Sequence, residues 1–191
     1  SVNVLFDLSD YKIRISYAKG FRAPDFKELF FEFVDINHNI IGNEFLLAEQ
    51  SNNYNINTTV SKYIFQTKTI TDISLFYNNI SNKIELANSS LETNQYSYFN
   101  ITNYTTKGIT YRTTLSLSNT TINFGMSYIG IYNKMSNNYN IPDFNFSNDF
   151  NISALFKLSN KSKLNIFYKR TGKLPGYILE NGNVSEVYSN S

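Results

Sequence analysis

The sequence predicts an all-β protein, an antiparallel meander, and three observations carry that expectation. Apolar and polar residues alternate with a period of two along most of the chain, as strands with one greasy and one wet face require. The composition suits a pleated surface: fifteen Tyr and sixteen Phe among 191 residues, with Ile and Thr common and no Trp. The connectors between alternating segments come in two lengths, short and long by turns, so one rim should carry tight turns and the other longer loops.

The elements follow in order. Val2–Leu8 alternates weakly and stops at the turn pair Ser9-Asp10. In Tyr11–Lys19, Ile13, Ile15 and Tyr17 share one face while Lys12, Arg14, Ser16 and Ala18 take the other. A long interruption runs from Gly20 to about Leu47, and inside it Pro24–Phe33 has helical spacing through Phe26, Leu29, Phe30 and Phe33. Long ordered loops are uncommon unless they do something. Ala48–Ile64 is a strand with Tyr54, Ile56, Thr58 and Val60 on one face. Thr69–Ala87 is another, in which apolar parity switches between Tyr77 and Ile80 and predicts a bulge or an excursion beyond the patterned zone. After a loop at Asn88–Asn94, the strands Gln95–Ser118, Thr121–Asn133, Phe144–Leu158 and Ser162–Arg170 follow. Asn119-Thr120 and Asn160-Lys161 are tight turns between them, and Lys134–Asp143 is a longer loop. Thr171–Gly176 breaks the pattern, and the tail reads as loop with a weak strand at Tyr177–Glu180.

Two closures fit this meander. A soluble β-sandwich would bury its apolar faces against a second sheet. A transmembrane barrel would turn them to lipid and its polar faces to an enclosed lumen. The sorting of short and long connectors, and strands longer than the usual ~5–6 residues, favour the barrel. The Tyr-weighted aromatic content agrees, because a ring with a polar tip suits a membrane–water interface.

Composition also excludes. Without cysteine there is no disulfide framework, thiolate zinc site or cysteine nucleophile. A net charge of +2 with no basic run interleaved with aromatics gives no nucleic-acid footprint. No apolar run approaches the ~18 residues of a membrane-spanning helix. With one histidine, His38, and neither a Gly-x-Ser-x-Gly nor a His-Glu-x-x-His motif, the chain reads as no enzyme. The Asn-X-Ser/Thr triplets such as Asn57-Thr58-Thr59 fall inside strands and read as products of an Asn- and Thr-rich composition.

The segment Tyr17-Ala18-Lys19-Gly20-Phe21-Arg22-Ala23-Pro24-Asp25-Phe26-Lys27-Glu28-Leu29 resembles the Gly-Phe-Arg-Ala-Pro box of TonB-dependent outer-membrane receptors. Gly42-Asn43-Glu44-Phe45-Leu46 with Glu49-Gln50-Ser51 resembles their Gly-Asn-Pro-x-Leu…Glu-x-Ser box. Thr106-Lys107-Gly108-Ile109 and Thr171-Gly172-Lys173-Leu174-Pro175-Gly176-Tyr177 fit further segments in family order. Glu44 replaces the box proline, and Thr110 an acidic residue that often follows Gly108-Ile109.

The resemblance implies a Gram-negative outer-membrane location and a barrel of about 22 strands around a plug. About eight or nine strands are legible here, so residues 1–191 are expected to be an internal part of the C-terminal half of that barrel, without plug or closing strand. Short turns would lie at the periplasmic rim and long loops at the extracellular rim. It further implies active import of a scarce large nutrient (siderophore, haem or cobalamin), driven through the plug by the TonB energy-transducing complex, with outer-membrane lipid around the wall. No cofactor of the protein's own is implied, the cargo being what carries iron or cobalt. The alternative is a secreted β-sandwich or adhesin that binds a partner through loops.

Phe21, Arg22, Ala23, Pro24, Glu28, Asn43 and Leu46 are expected to form the structural loop motif, with Arg22 paired to Asp25 and Glu28 or else meeting an anionic ligand. His38 lies between the two boxes, where haem-uptake members of the family place a loop histidine, so it is the candidate haem-iron ligand. Tyr54 could flank a porphyrin or belong to an aromatic girdle. Lys12, Arg14, Arg112 and Lys157 should line the polar interior.

Overall fold

The computed structural model describes residues 1–34, 39–90, 95–134, 144–172, 174–180 and 183–189, with side chains described in 1–34, 39–87, 95–132 and 144–172. It contains the expected meander. Eight strands form one antiparallel path: β1 (Val2–Leu8), β2 (Tyr11–Arg22), β5 (Glu49–Ile64), β6 (Thr67–Ser90), β7 (Gln95–Ser116), β8 (Thr120–Lys134), β9 (Asn145–Lys157) and β10 (Lys163–Arg170). The 20s–40s interruption holds the helix α1 (Phe26–Phe30) and two short strands, β3 (Glu32–Val34) and β4 (Asn39–Ile41).

Two of the short turns use left-handed backbone: Ser9 has φ 50°, and Phe65 and Gln66 have φ 46° and 63°. Consecutive left-handed residues in a two-residue connection match the twist of the strands they join.

Register decides which residues share a face, because neighbours in a ladder point the same way. One row runs Val4, Ile15, Ile56, Leu75, Ile109 and Tyr128 across six strands. A second runs Val2, Tyr17, Tyr54, Tyr77 and Lys107. The alternate residues are polar: Arg14, Asn57, Ser74, Thr110 and Ser127 form one row, and Lys12, Thr59, Asp72 and Arg112 another. On this face Thr59 donates to Asp72 at 2.6 Å, Asn78 to Thr106 at 3.1 Å and Asn123 to Ser153 at 3.2 Å.

No second layer covers the apolar face among the described residues. Ile15 is 45% exposed, Ile56 42%, Leu75 46% and Ile109 39%. A contiguous apolar surface of this kind is not tolerated in water and marks contact with another apolar phase. No described helix is long and apolar enough to cross a membrane, a fact silent on crossing by strands.

The buried apolar residues among those described are Leu46, Ile84, Ala87 and Ile101. All lie in the loop or in the parts of β6 and β7 that outrun their neighbours, so what core there is sits at the long-loop rim.

Two sequence expectations need correction and a third is narrowed. The helix is shorter than Pro24–Phe33, because Phe31 already has extended backbone at φ −69° and ψ 130°. Of the two readings of the parity switch in β6, the excursion holds and the bulge does not: β6 runs on past Ser81, where its pairing with β5 ends. Asn82 takes φ 56°, yet Ser81 faces Asn103 and Lys83 faces Ile101 in unbroken register. One left-handed residue rotates the faces without adding a residue, and Asn is among the few types that tolerate it. The tail is more strand than expected: the weak strand at Tyr177–Glu180 is part of β11 (Leu174–Glu180), which pairs antiparallel with a second strand, β12 (Asn183–Ser189), and also touches β6 at Ile178↔Asn88. Pro175 and Gly176 read as breakers in isolation, but Pro tolerates an edge strand.

Candidate functional site

The two ends of the loop between β2 and β5 are tied together by a charged node. Arg22 closes β2 and Glu49 opens β5, and the two are direct cross-strand partners. The Arg22 guanidinium donates to both carboxylate oxygens of Glu28 at 2.9 Å and to Glu49 Oε1 at 2.6 Å. Its planar fork suits two carboxylates at once, which a lysine could not serve in the same geometry. Glu28 also accepts the Asp25 backbone N–H at 2.7 Å, closing the first turn of α1. Glu49 Oε1 further accepts the Ile84 N–H at 2.8 Å, so the node reaches the excursion of β6 beyond Asn82.

The node lies outside the membrane-crossing part of the strands. Arg22 and Glu49 stand five residues beyond Tyr17 and Tyr54, about 17 Å along the strand. Burial pushes the Glu49 carboxyl up, but the hydrogen bonds from Arg22 and the Ile84 N–H outweigh it and hold the pKa below its ordinary value. The Arg22 pKa is raised above its ordinary range, first by the Glu49 hydrogen bond, against burial, with Glu28 adding.

The rest of the loop folds back on the rim. Gly42 N–H donates to Phe31 C=O at 2.6 Å and Asn43 N–H to Glu28 C=O at 2.8 Å. A Cβ on Gly42 would lie 2.6 Å from the Leu29 carbonyl oxygen and 2.8 Å from the Phe30 nitrogen, so only glycine permits this approach to the end of α1. The Asn43 side-chain amide donates to Tyr98 C=O at 2.9 Å. Asn100 grips Leu47 at both backbone groups: it accepts Leu47 N–H at 2.8 Å and donates to Leu47 C=O at 2.9 Å. It also donates to Asn82 C=O at 2.7 Å. Leu46 is buried beside this clamp. β4 extends the contact by pairing parallel with β7 through Asn39↔Gln95 to Ile41↔Ser97. The Tyr98 phenol is raised above its ordinary pKa by burial, with the charges of Glu28 and Asp25 adding.

The structure therefore brings together Arg22, Glu28, Asn43 and Leu46 from the two sequence boxes. Asp25 serves at the start of α1 and makes no bond to Arg22 among the described residues, which corrects the expected Arg22–Asp25 pair. Its place is taken by Glu49, which sequence reading noted only as a box position. The signal was available as register, since Arg22 and Glu49 must face each other once Ile15 faces Ile56. Phe21 is exposed next to the end of β2. Tyr54 stands in the outward aromatic row, its ring 5.0 Å from Tyr17 and 6.2 Å from Tyr77. His38 lies outside the described residues. Among the described residues no cluster of acids, His or Cys has the makings of a metal site.

The outward face has a second aromatic group. Phe146 lies 4.6 Å from Tyr128 in a nearly parallel stack, and its ring covers Gly130, where a Cβ would come within 2.5 Å of it. The Lys107 ammonium sits 3.7 Å from the centre of the Phe144 ring. An amphipathic lysine over rings, at the end of an apolar band, is how a membrane-facing strand ends at the polar interface.

Strands that are apolar on one side and polar on the other, tied at one rim by tight turns and at the other by a packed loop, define the wall of an outer-membrane β-barrel. A family model for the TonB dependent receptor-like β-barrel matches residues 1–185, and the chain belongs to that family, whose members are outer-membrane transport receptors of Gram-negative bacteria and not enzymes. It is similar to the "Hemoglobin and hemoglobin-haptoglobin-binding protein" of Haemophilus ducreyi, with 31% identity over 144 residues. That alignment covers 67% of this chain and 14% of the relative's length, so the chain spans a small part of the protein it matches.

Proposed function

We propose that this chain is a barrel segment of a longer receptor that takes haem from a haemoprotein at the cell surface and imports it with TonB-supplied energy. The observation that carries the reading is the loop between β2 and β5, a built and anchored structure at the extracellular rim, with His38 between its two boxes. The haemoglobin-binding relative favours haem over the siderophore and cobalamin classes. Loops would bind cargo outside, and a plug in the lumen would yield when the energy-transducing complex pulls on it. Imidazole is a good iron ligand, and no chemistry on the cargo is required of the protein.

Haemin titration of the complete receptor in detergent tests this reading. The expected result is a Soret band shifted by ligation in the wild type and reverting towards that of free haemin in His38→Ala. Identical spectra for the two proteins would end the role of His38. Absence of any haemin binding by the wild type would end the haem reading.

A further inference from the structure

The polar face carries a hollow of about 540 Å³ bordered by Lys12, Arg14, Asn57, Thr59, Asp72 and Arg112. Lys12, Thr59, Asp72 and Arg112 form one cross-strand row, so Lys12 and Arg112 stand three strands apart, about 14 Å at ~4.8 Å per strand. Arg14 lies two residues further from the tight turn at Ser9-Asp10, in the row of Leu5, Asn57 and Ser74. The hollow is therefore near the short-turn rim, at the opposite end of the wall from the loop node.

Its charges do not balance. Asp7 takes Lys12 at 3.2 Å. Asp72 accepts the Thr59 hydroxyl and faces Arg112 in register. Arg14 has no acid beside it in its row and no ion pair among the described residues. Asn57 accepts from Ser74 through its carbonyl oxygen, which leaves its amide N–H groups for something else. A planar guanidinium next to free amide donors is a carboxylate receptor, and a confined lumen strengthens such contacts relative to open water.

We infer that Arg14, with Asn57 beside it and Lys12 and Arg112 flanking, is an anion site on the inner wall that receives carboxylate groups of the cargo on its way to the periplasmic rim. The inference rests on the proposed transport of haem, whose two propionates supply that chemistry. A wall residue of this kind sets passage and not capture, because capture belongs to the far rim.

The test uses cells that depend on the complete receptor for haem, carrying wild type, Arg14→Gln or Arg14→Lys at equal outer-membrane levels. Surface binding of haemin should be the same in all three. Haemin uptake should fall on the order of tenfold in Arg14→Gln, the loss of one charge-assisted contact, and less in Arg14→Lys, which keeps charge but not the fork. Haemin dimethyl ester, which has no carboxylate, should be imported equally by wild type and Arg14→Gln. Unchanged haemin uptake in Arg14→Gln would overturn the inference. So would equal losses for haemin and its ester, or a loss accompanied by new sensitivity to vancomycin, which would make Arg14 an anchor for a part of the protein that seals the lumen. Should wild type bind no haemin, the functional reading fails. The anion site is then decided by titrating the purified receptor with citrate: binding weakened in Arg14→Gln upholds it, and equal binding by the two proteins overturns it.

Discussion

At the scale of single residues, Arg22 carries the most structural weight. It joins the end of β2, the start of β5 and the first turn of α1 through two carboxylates. The guanidinium is partly exposed, so the node is worth about 1 kcal/mol and not the larger value of a buried pair. Arg22→Gln should therefore leave the sheet intact and loosen the start of the loop, read as modestly faster limited proteolysis between residues 23 and 34 with unchanged barrel resistance. Unchanged loop cleavage would contradict the node's role. The pH dependence has a definite sign. Glu49 has a depressed pKa in the folded protein, so its contribution is fully present above the ordinary carboxylate range. It is lost as pH falls through the depressed folded value. Loop protection should hold at neutral pH and decay only on strong acidification, and Glu49→Gln should flatten that decay. Much of this node was legible: Arg22, Pro24 and Glu28 stand in one box. Glu49 was not legible as a partner, because a contact across 27 residues exists only after the register of β2 on β5 is settled.

At the scale of elements, the sequence made strands and tight turns plain and made the loop's interior obscure. Period-two alternation needs only a lipid-like phase on one side to be read. The strands β3 and β4 have three residues each, and three residues cannot show a period. Their formation depends on β7 offering an edge above the end of β8. Similarly, the parity switch in β6 showed that the faces rotate but not that a single left-handed Asn82 does it. Gly42 tests whether α1 and the returning chain act as one unit. Gly42→Ala places a methyl against the Leu29 carbonyl and should cost about 1–3 kcal/mol locally. The expected outcome is rapid amide exchange in α1 and β4 while β5 and β6 stay protected. Slow exchange in α1 would show that the close approach is not required.

At the scale of the whole molecule, one physical division organises everything: the faces of the sheet meet different solvents. The exposed row Ile15, Ile56, Leu75 and Ile109 would be an aggregation hazard in water and is the natural surface of a wall in hydrocarbon. An arginine at a lipid-facing midplane position costs ~2–4 kcal/mol, whereas lumen positions accept polar change. Leu75→Arg should thus reduce folded receptor in membranes sharply, and Ser74→Asn, its neighbour on the other face, should not. Equal effects would mean that the two faces share one environment. This division was readable from alternation, but alternation alone also fits a sandwich. What decides is the family match, a TonB dependent receptor-like β-barrel over residues 1–185, which no periodicity contains.

The most direct measurement is a nitroxide scan along β5 in the complete receptor reconstituted into bilayers, one label at each position from Asn53 to Val60. Collision with oxygen, which concentrates in hydrocarbon, should peak at Tyr54, Ile56, Thr58 and Val60. Collision with a water-soluble nickel chelate should be favoured at Asn53, Asn55, Asn57 and Thr59. A profile without this two-residue period, or one in which the even-numbered positions are shielded from both probes, would contradict the account.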